Sequence, residues 1–389
     1  MPGLGGLTLA QSLRSQGIDF EIFERDEGPQ ARVQGWAVAL QWSALSSPTK
    51  KKKTYPLTVT SLGSSLIFAR SCRRKLRHSN QRVFLPDNQS RTAQANMYDA
   101  YTGKSIMAER GIAFTAGAFI RVNRAKFRKL LLTDLPVKWN HKFLHYEIMD
   151  TGDVRAFFEG GITSTGSVLV GADGLRSRVR NTMYQSNPPA LNIVPTGIIV
   201  GEVTLNREQW ERQAKLARSF HVCIAKGFLL FTGLKAYSDD LSEGNFYWLY
   251  FFPEQKPATS WIKTASKEEL LAFTKEAIKD IRPEFREIVE LQTPERMGQP
   301  FVMYDHVPEM CPAGPVTLIG DAIHPMTPLR GEGANNAMRD SIELGWKLGE
   351  AMRAGSSLPH ALRAYEADMV PRATTSVIGS REAALLLER

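Results

Sequence analysis

Apolar positions change their spacing several times along the chain, and each change marks an element. In "LTLAQSLRSQG", Leu7, Leu9, Ala10 and Leu13 share one face of a 3.6-residue repeat. This predicts a helix over 7–16 with Gly17 just past its end. "DFEIFER" (Asp19–Arg25) alternates instead and is rich in Phe and Ile, the pattern of a strand. "RVNRAKFRKLLLTDL" (Arg121–Leu135) reads as a basic amphipathic helix. "SVLVGADGLRSRVR" (Ser167–Arg180) reads as a buried strand, a glycine turn and the start of a basic helix.

Between about 190 and 300 the texture shifts. "TGIIVGEVTL", "SFHVCIAKGFLLFTGLKAY" and "NFYWLYFFPE" are long strand candidates, with polar helices over about 206–217 and 265–281. This predicts an antiparallel sheet with helices on one side. "GPVTLIGDAIHPMTPLRGEGANNAMRDSIELGWKLGEAM" then returns to strand, loop and long helix, and the last 30 residues read as one or two more helices. The fold class is α/β, large enough for one large or two ordinary domains. No stretch reaches the roughly 18 consecutive apolar residues of a membrane span.

Charge changes this picture in one place. The net charge is +9, but residues 44–91 hold 11 basic residues and the single acid Asp87. The remainder carries 38 basic and 39 acidic residues, so the body is neutral and nucleic acid is not an expected partner. The segment is rich in Ser and Thr and lacks a sustained period of 2 or 3.6. It reads as a surface loop, as a polyanion or nuclear-localisation patch, or as a stretch translated from a faulty gene model. Cys72, Cys223 and Cys311 are odd in number and far apart. They suit a reducing, cytoplasmic location and offer neither a disulfide framework nor zinc spacing.

The opening "MPGLGG" places Gly3 and Gly6 where a glycine-rich turn feeds a helix, with Glu24 at the end of the following strand. Such a turn brings backbone N–H groups to a pyrophosphate, and the acid takes a ribose hydroxyl. Met1 stands where the first glycine belongs, and no strand precedes it. An ordinary turn before a helix is the alternative. His141 and His145 are four apart, but no third metal ligand is near, so no metal is expected.

"GADGLRSRVR" (Gly171–Arg180) and "LIGDAIHPMTPLRGEGANNAM" (Leu318–Met338) follow this turn in order. Together the three motifs resemble the class A flavoprotein monooxygenases, the para-hydroxybenzoate-hydroxylase-like family. "DFEIFERDEGPQARVQGWAVAL" is similar to its fungal secondary-metabolite members. The resemblance spans nearly the whole chain except about 44–91. It implies a Rossmann-like FAD-binding domain over 1–185 and 301–389, lacking its first strand, and a substrate domain over 186–300.

Residue by residue, the resemblance implies that Gly3 and Gly6 form the phosphate turn and that Glu24 meets the adenosine ribose. Ala37 makes a backbone contact to FAD, and Arg124 meets the phosphates or ribityl chain. Asp173, beside Gly174, is associated with both FAD and NAD(P)H, although capping the next helix is an equally physical role. Arg176, Arg178 and Arg180 behind it offer a docking surface for the reductant. Asp321 bonds a ribityl hydroxyl. Pro325, Gly331, Gly333, Ala334 and Asn335 form the loop and helix start beside the flavin ring. His324 belongs to that loop, with general base as its other reading.

The implied activity is NAD(P)H-driven transfer of one atom of O2 to a small organic substrate, an aromatic ring or alkene. Tyr247, Trp248, Tyr250 and Phe251 are candidates for the substrate wall or for ordinary core. Loss of the first strand is expected to weaken FAD binding. Three readings therefore stand: an active monooxygenase from a faulty gene model, a flavin oxidase or dehydrogenase without net oxygenation, and a truncated non-catalytic paralogue.

Overall fold

The computed structural model describes residues 3–31, 35–41, 95–109, 119–185, 187–385 and 387. The basic segment 44–91, Met1 and Cys72 lie outside the described residues. In chain order the elements begin with α1 (Leu4–Ser15), β1 (Ile22–Phe23), β2 (Ala37–Gln41) and β3 (Ala95–Asp99). Next come α2 (Ile106–Glu109), β4 (Phe119–Asn123), α3 (Arg124–Leu131) and β5 (Val137–Lys138). A meander of β6 (Phe143–Ile148), β7 (Val154–Phe158) and β8 (Thr163–Gly166) leads to β9 (Leu169–Gly171) and α4 (Arg178–Met183). The middle of the chain gives β10 (Asn192–Ile193), β11 (Thr196–Asn206), α5 (Arg207–Leu216), β12 (Phe220–Ala225), β13 (Phe228–Tyr237) and β14 (Glu243–Pro253). It closes with α6 (Lys267–Ala277), α7 (Pro283–Glu290), β15 (Tyr304–Asp305), β16 (Val316–Leu318), α8 (Gly333–Ala354) and α9 (Leu358–Leu385).

The main sheet has the order β11-β14-β13-β12-β3. Its first four strands are antiparallel, as the run of long apolar strands predicts. The fifth, β3, pairs in parallel with β12 and comes from the far side of the basic segment. Two short parallel pairs, β1–β5 and β9–β16, form separate ladders. Among the described residues neither ladder gains a third strand.

Two sequence expectations are corrected. The strand over Asp19–Arg25 shortens to Ile22–Phe23, because its partner β5 offers only two residues to pair with. The helix expected over Arg121–Leu135 begins only at Arg124. Residues Phe119–Asn123 form β4 instead, antiparallel to β2. Asn123 then caps α3, its side chain accepting the Lys126 N–H at 3.1 Å.

Strand alternation splits the main sheet into two apolar faces. Trp248, Tyr250 and Phe252 of β14 join Ile199 and Val203 of β11 under α6 and α7, where Phe285, Ile288 and Leu270 cover them. Tyr247, Leu249 and Phe251 point the other way, with Ile198 and Val200, toward Trp36, Ala37, Met303 and the end of α9. Trp248 and Tyr250 are therefore core beneath the helices, and Trp248 donates its indole N–H to Gln292 at 2.9 Å. Only Tyr247 and Phe251 of the four aromatic candidates face the rest of the molecule.

A second core packs α1 along α8. Gly5 lies against Ala337, Gly345 against Ser12 and Gly349 against Gln16. The nearly constant offset between partners means that the two helices run parallel, with their N-termini side by side. Small residues permit the approach: a Cβ added at Gly345 would sit 2.3 Å from Ser12 Oγ and 2.8 Å from its Cβ. The Ser341 hydroxyl donates to Gly5 O at 2.8 Å.

Each of the two cores can be tested by one substitution. Gly345→Val forces α1 from α8 and should cost about 1–3 kcal/mol, read as a lower urea midpoint at unchanged slope. His221 in β12 is buried between Tyr98 and Phe285, its Nε2 has no partner, and burial pushes its pKa down to about 3. The unfolded chain then binds a proton below pH 6.5 that the folded chain refuses until about pH 3, so stability is lost as pH falls through that window. His221→Leu should remove about 1.4 kcal/mol per pH unit from the acid side of the stability profile. An unchanged slope between wild type and variant would refute this assignment.

Candidate cofactor site

The parallel packing of α1 and α8 has an electrostatic consequence. Each helix leaves its first N–H groups without intrahelical acceptors, and the aligned dipoles concentrate positive potential at that end. Neither N-terminus is closed by a side chain: Gly3 caps α1 and Glu332 precedes α8, both without a capping hydrogen bond. A Cβ at Gly3 would meet nothing within 4 Å, so the space before α1 is open. Gly6, the next sequence-predicted glycine, is used for close packing. A Cβ there would lie 3.3 Å from Ala172, where β9 ends.

Asp321 stands beside these two N-termini. It follows Gly320, whose own Cβ would lie 2.8 Å from Ala337 in the second turn of α8. Asp321 is solvent-exposed, yet protein crowds it closely enough that desolvation raises its carboxyl above the ordinary range, against the charges of His324 and Arg124. No hydrogen bond to this carboxylate is formed among the described residues. Arg124 opens α3, its N–H donating to Trp36 O at 3.2 Å, and its side chain is exposed. Ala37 follows at the start of β2. Glu24 follows β1, 5% exposed, with its Oε1 accepting the Asp26 N–H at 3.0 Å.

The loop into α8 is stiff. Pro325 is buried and its carbonyl accepts the His306 N–H at 3.1 Å. Gly331 takes the left-handed conformation, φ 64°, that lets the chain turn into the helix. Gly333 and Ala334 supply the first N–H groups of α8. Asn335 is buried and ties this start to β2, its Nδ2 donating to Ala39 O at 2.8 Å and to Gly331 O at 3.1 Å. The structure thus brings Gly3, Asp321, Gly333, Ala334 and Asn335 to one region, with Gly6 packed just behind it.

Asp173 is otherwise engaged. Its Oδ2 accepts the N–H groups of Arg178 at 2.7 Å and Val179 at 3.2 Å, so it supports the start of α4 across the Gly174 turn beside the Ser177 cap. Arg180 does not belong to a docking surface. It is buried, donating to Ala322 O at 2.9 Å and to Leu175 O at 2.8 Å, and so straps the Asp173 turn to the Asp321 loop. Arg178 lies across Phe143 O at 2.8 Å. Arg176 remains exposed.

One network escaped the sequence reading. Asp340, fully buried in α8, accepts from the Gly320 N–H at 2.9 Å and meets His324 Nε2 at 2.6 Å with the same oxygen. Its other oxygen takes Arg372 of α9 at 2.8 Å. Arg372 also reaches Asn336 Oδ1 at 2.7 Å. Burial opposes both charged forms, but the mutual attraction wins: His324 is raised and Asp340 lowered from their ordinary values. A histidine 0% exposed and locked to a carboxylate is a support for the loop rather than a free general base. The sequence signal was an acid followed four residues later by Leu344, on the buried stripe of α8.

Between Trp36 and the middle of β11 lies a cavity of about 450 Å3, walled in part by Val200, Glu202, Met297 and Phe301. Trp36 stacks flat on Tyr247, ring centroids 5.2 Å apart. Among the described residues no cluster of three or more His, Cys, Asp or Glu could hold a metal. No helix among them is long and apolar enough to cross a membrane.

The donor set fits FAD: two adjoining helix N-termini suit a diphosphate, and a carboxylate lacking a donor suits a hydroxylated linker. This fold and site define a flavin-binding α/β protein with a second sheet against its cofactor half. A family model for the FAD binding domain matches residues 136–380. FAD-dependent monooxygenase thnD of Trichoderma harzianum is 33% identical over 98% of this chain and 90% of its own length. FAD-dependent monooxygenase phnB of Penicillium herquei is 26% identical over 98% and 88%. The chain belongs to the FAD-dependent monooxygenases.

Among solved structures, Klebsiella pneumoniae HpxO complexed with FAD and uric acid covers 99% of this chain and 87% of its own, with TM-score 0.70 and 18% identity. Pseudomonas aeruginosa PqsL in complex with 2-aminobenzoylacetate covers 99% and 94%, with TM-score 0.72 and 18% identity. At that identity the likeness is one of fold.

Removing the carboxylate at the centre of the buried network should be costly. Asp340→Asn leaves His324 and Arg372 without their shared counter-charge and should destabilise by about 3–5 kcal/mol. Because folding raises the His324 pKa, its contribution is complete below pH 6.5 and fades as pH rises through the elevated value. The lowered Asp340 carboxyl contributes above 3.8. The gap between wild type and variant in thermal denaturation should therefore be widest between those two pH values and narrow above them.

Proposed function

We propose that this FAD-dependent monooxygenase uses NAD(P)H and O2 to hydroxylate or epoxidise a small, electron-rich organic substrate in fungal secondary metabolism. The observation that carries the reading is the pair of parallel, uncapped helices opening beside the Asp321 carboxylate. The fungal origin of thnD and phnB supports the metabolic setting.

In this reading Gly3 and the first N–H groups of α1 hold the FAD diphosphate, with Gly6 permitting α1 to start against Ala172. Glu24 receives the adenosine ribose, and Arg124 neutralises phosphate or reaches the ribityl chain. Asp321 accepts a ribityl hydroxyl, which gives its carboxylate the donor it lacks among the described residues. Asp173 acts through the turn it supports. Pro325 and Gly331 fix the loop, and Ala37 offers backbone to the ring. When bound, FAD would supply the redox chemistry, hydride acceptance and dioxygen activation.

The chain's own work is placement. The N–H groups of Gly333, Ala334 and Asn335 put a positive dipole where negative charge develops on a reduced flavin. Asn335 holds β2 to that helix start, so the two elements that would hold the flavin move together. Trp36, Tyr247 and the cavity beside them exclude water and receive the substrate. No residue is required as a proton donor to the substrate, in keeping with the engagement of His324 by Asp340. The division into a cofactor half (1–185 and 301–389) and a substrate half (186–300) fits this assignment, with the added feature that β3 completes the substrate sheet.

The test is direct. Purified protein should be yellow, and substrate-dependent NAD(P)H consumption should place one atom of isotopically labelled O2 in the product. NAD(P)H consumption that yields only hydrogen peroxide with every substrate tried favours the oxidase reading. Colourless protein that takes up no FAD overturns the proposal. Asp321→Ala should lose about 1.5–3 kcal/mol of FAD affinity, the worth of a hydrogen bond to a charged group, roughly a 10- to 100-fold rise in Kd.

A further inference from the structure

Arg121 is a buried cation for which the function described so far has no use. It lies in β4, directly across from Ala39 of β2. Val38, Leu40 and Val122 face the core beneath α1 and α3, whereas Ala37 faces the main sheet beside Trp36. Arg121 points with Ala37 and Ala39, out of the cofactor half and toward the aromatic face of that sheet. Its side chain ends among Phe220, Phe231 and Tyr247, with the guanidinium carbon 5.5, 5.7 and 5.4 Å from the three ring centres.

The hydrogen bonds there leave the charge unanswered. Nε donates to Leu234 O at 3.0 Å, and Nη2 donates to the Tyr247 hydroxyl. Nη1 has no acceptor among the described residues, and no carboxylate among them pairs with this arginine. The acid nearest in charge to Tyr247, Glu202, is held by Lys235 at 2.6 Å. Arg121 is only 7% exposed. Burying an unpaired charge is costly, and three ring faces return only part of that cost. A purely structural strut between β4 and β13 could be built from a neutral donor. The residue that stands here is the one whose planar fork matches a carboxylate or enolate.

We propose that Arg121 determines substrate specificity by receiving an anionic oxygen of a flat, aromatic or enolic acid held between β2 and the main sheet. The inference rests on the monooxygenase reading, because it concerns that reaction's substrate. The acid group is the missing counter-charge: one oxygen takes Nη1, while the apolar body extends toward Trp36 and the cavity it lines. The charge also fixes which edge of the substrate turns away from the cofactor half. A neutral analogue of the same shape gains the stacking but leaves Nη1 unpaired, so discrimination comes from the polar group left without a partner.

The test is a titration of the purified protein with 2-naphthoate and with its neutral amide, followed by tryptophan fluorescence. Wild type should bind the acid at least tenfold more tightly than the amide. Arg121→Met should bring that ratio to about one by weakening the acid alone. Arg121→Lys, which keeps the charge without the fork, is measured beside it and should give an intermediate ratio. A strut role would lower the melting temperature of either variant without moving the ratio. A wild-type ratio near one, no binding of the acid, or an undiminished ratio in either folded variant overturns the proposal. Flavin content measured on the same samples separates the failures: yellow protein without acid preference loses the anion site and keeps the monooxygenase reading.

Discussion

The close parallel contact of α1 and α8 is the constraint on which the site depends. Parallel dipoles side by side repel, and the repulsion is strongest where both N-termini lack caps. The packing that overcomes it is steric: at Gly345 any Cβ would run into Ser12 of α1, and the small residues Gly5 and Ala337 meet without a clash. What results is a concentrated positive edge that an anion relieves. Binding and stability are therefore coupled, because an anionic ligand at that edge removes an unfavourable term already present in the fold.

The Asp340 network solves the complementary problem of keeping the loop before α8 in register with it. One carboxylate joins Gly320, His324 and Arg372, which belong to the loop, the same loop four residues on, and α9. Arg180 adds a strap from the Asp173 turn to Ala322. Asp321 sits between these anchors, so its carboxylate is aimed without making a hydrogen bond of its own among the described residues. The charged groups buried in the supports leave the exposed ones free for a ligand.

Much of this was legible in the sequence where chemistry demands a local pattern. The glycine before α1, the Asp-Gly turn and the Gly-Asp loop are short-range signals, and the elements they predict are present, although Gly6 lies inside α1 rather than in the turn before it. Long-range partners were not legible. Asp340 and Arg372 are 32 residues apart on two helices, and only their packing reveals the pair. Asp173 could be read as a ligand or a cap, and only the fold shows its Oδ2 accepting two N–H groups at the start of α4. Arg121 was assigned to a helix because basic residues recur through α3. The alternation in "FIRVN" loses to that longer pattern until β2 is present to pair with it.

That misassignment matters because the periodicity decides where the charge goes. On a helix contiguous with α3, Arg121 would join a solvated basic face. On β4 the two-residue period turns it inward with Ala39, away from Val122, and into a ring of aromatic side chains. The same sequence step that ends β4 also starts α3 at Arg124, so two arginines three residues apart serve opposite sides of the molecule. Arg124 stays with the exposed mouth of the cofactor half, while Arg121 crosses to the sheet. The Asn123 cap enforces this division by fixing where strand gives way to helix. Which side chain faces the sheet is set by the pairing of β4 with β2, which places Arg121 opposite Ala39 and Val122 opposite Val38, so a one-residue slip of that register would exchange the two and change the polarity of the space between the halves.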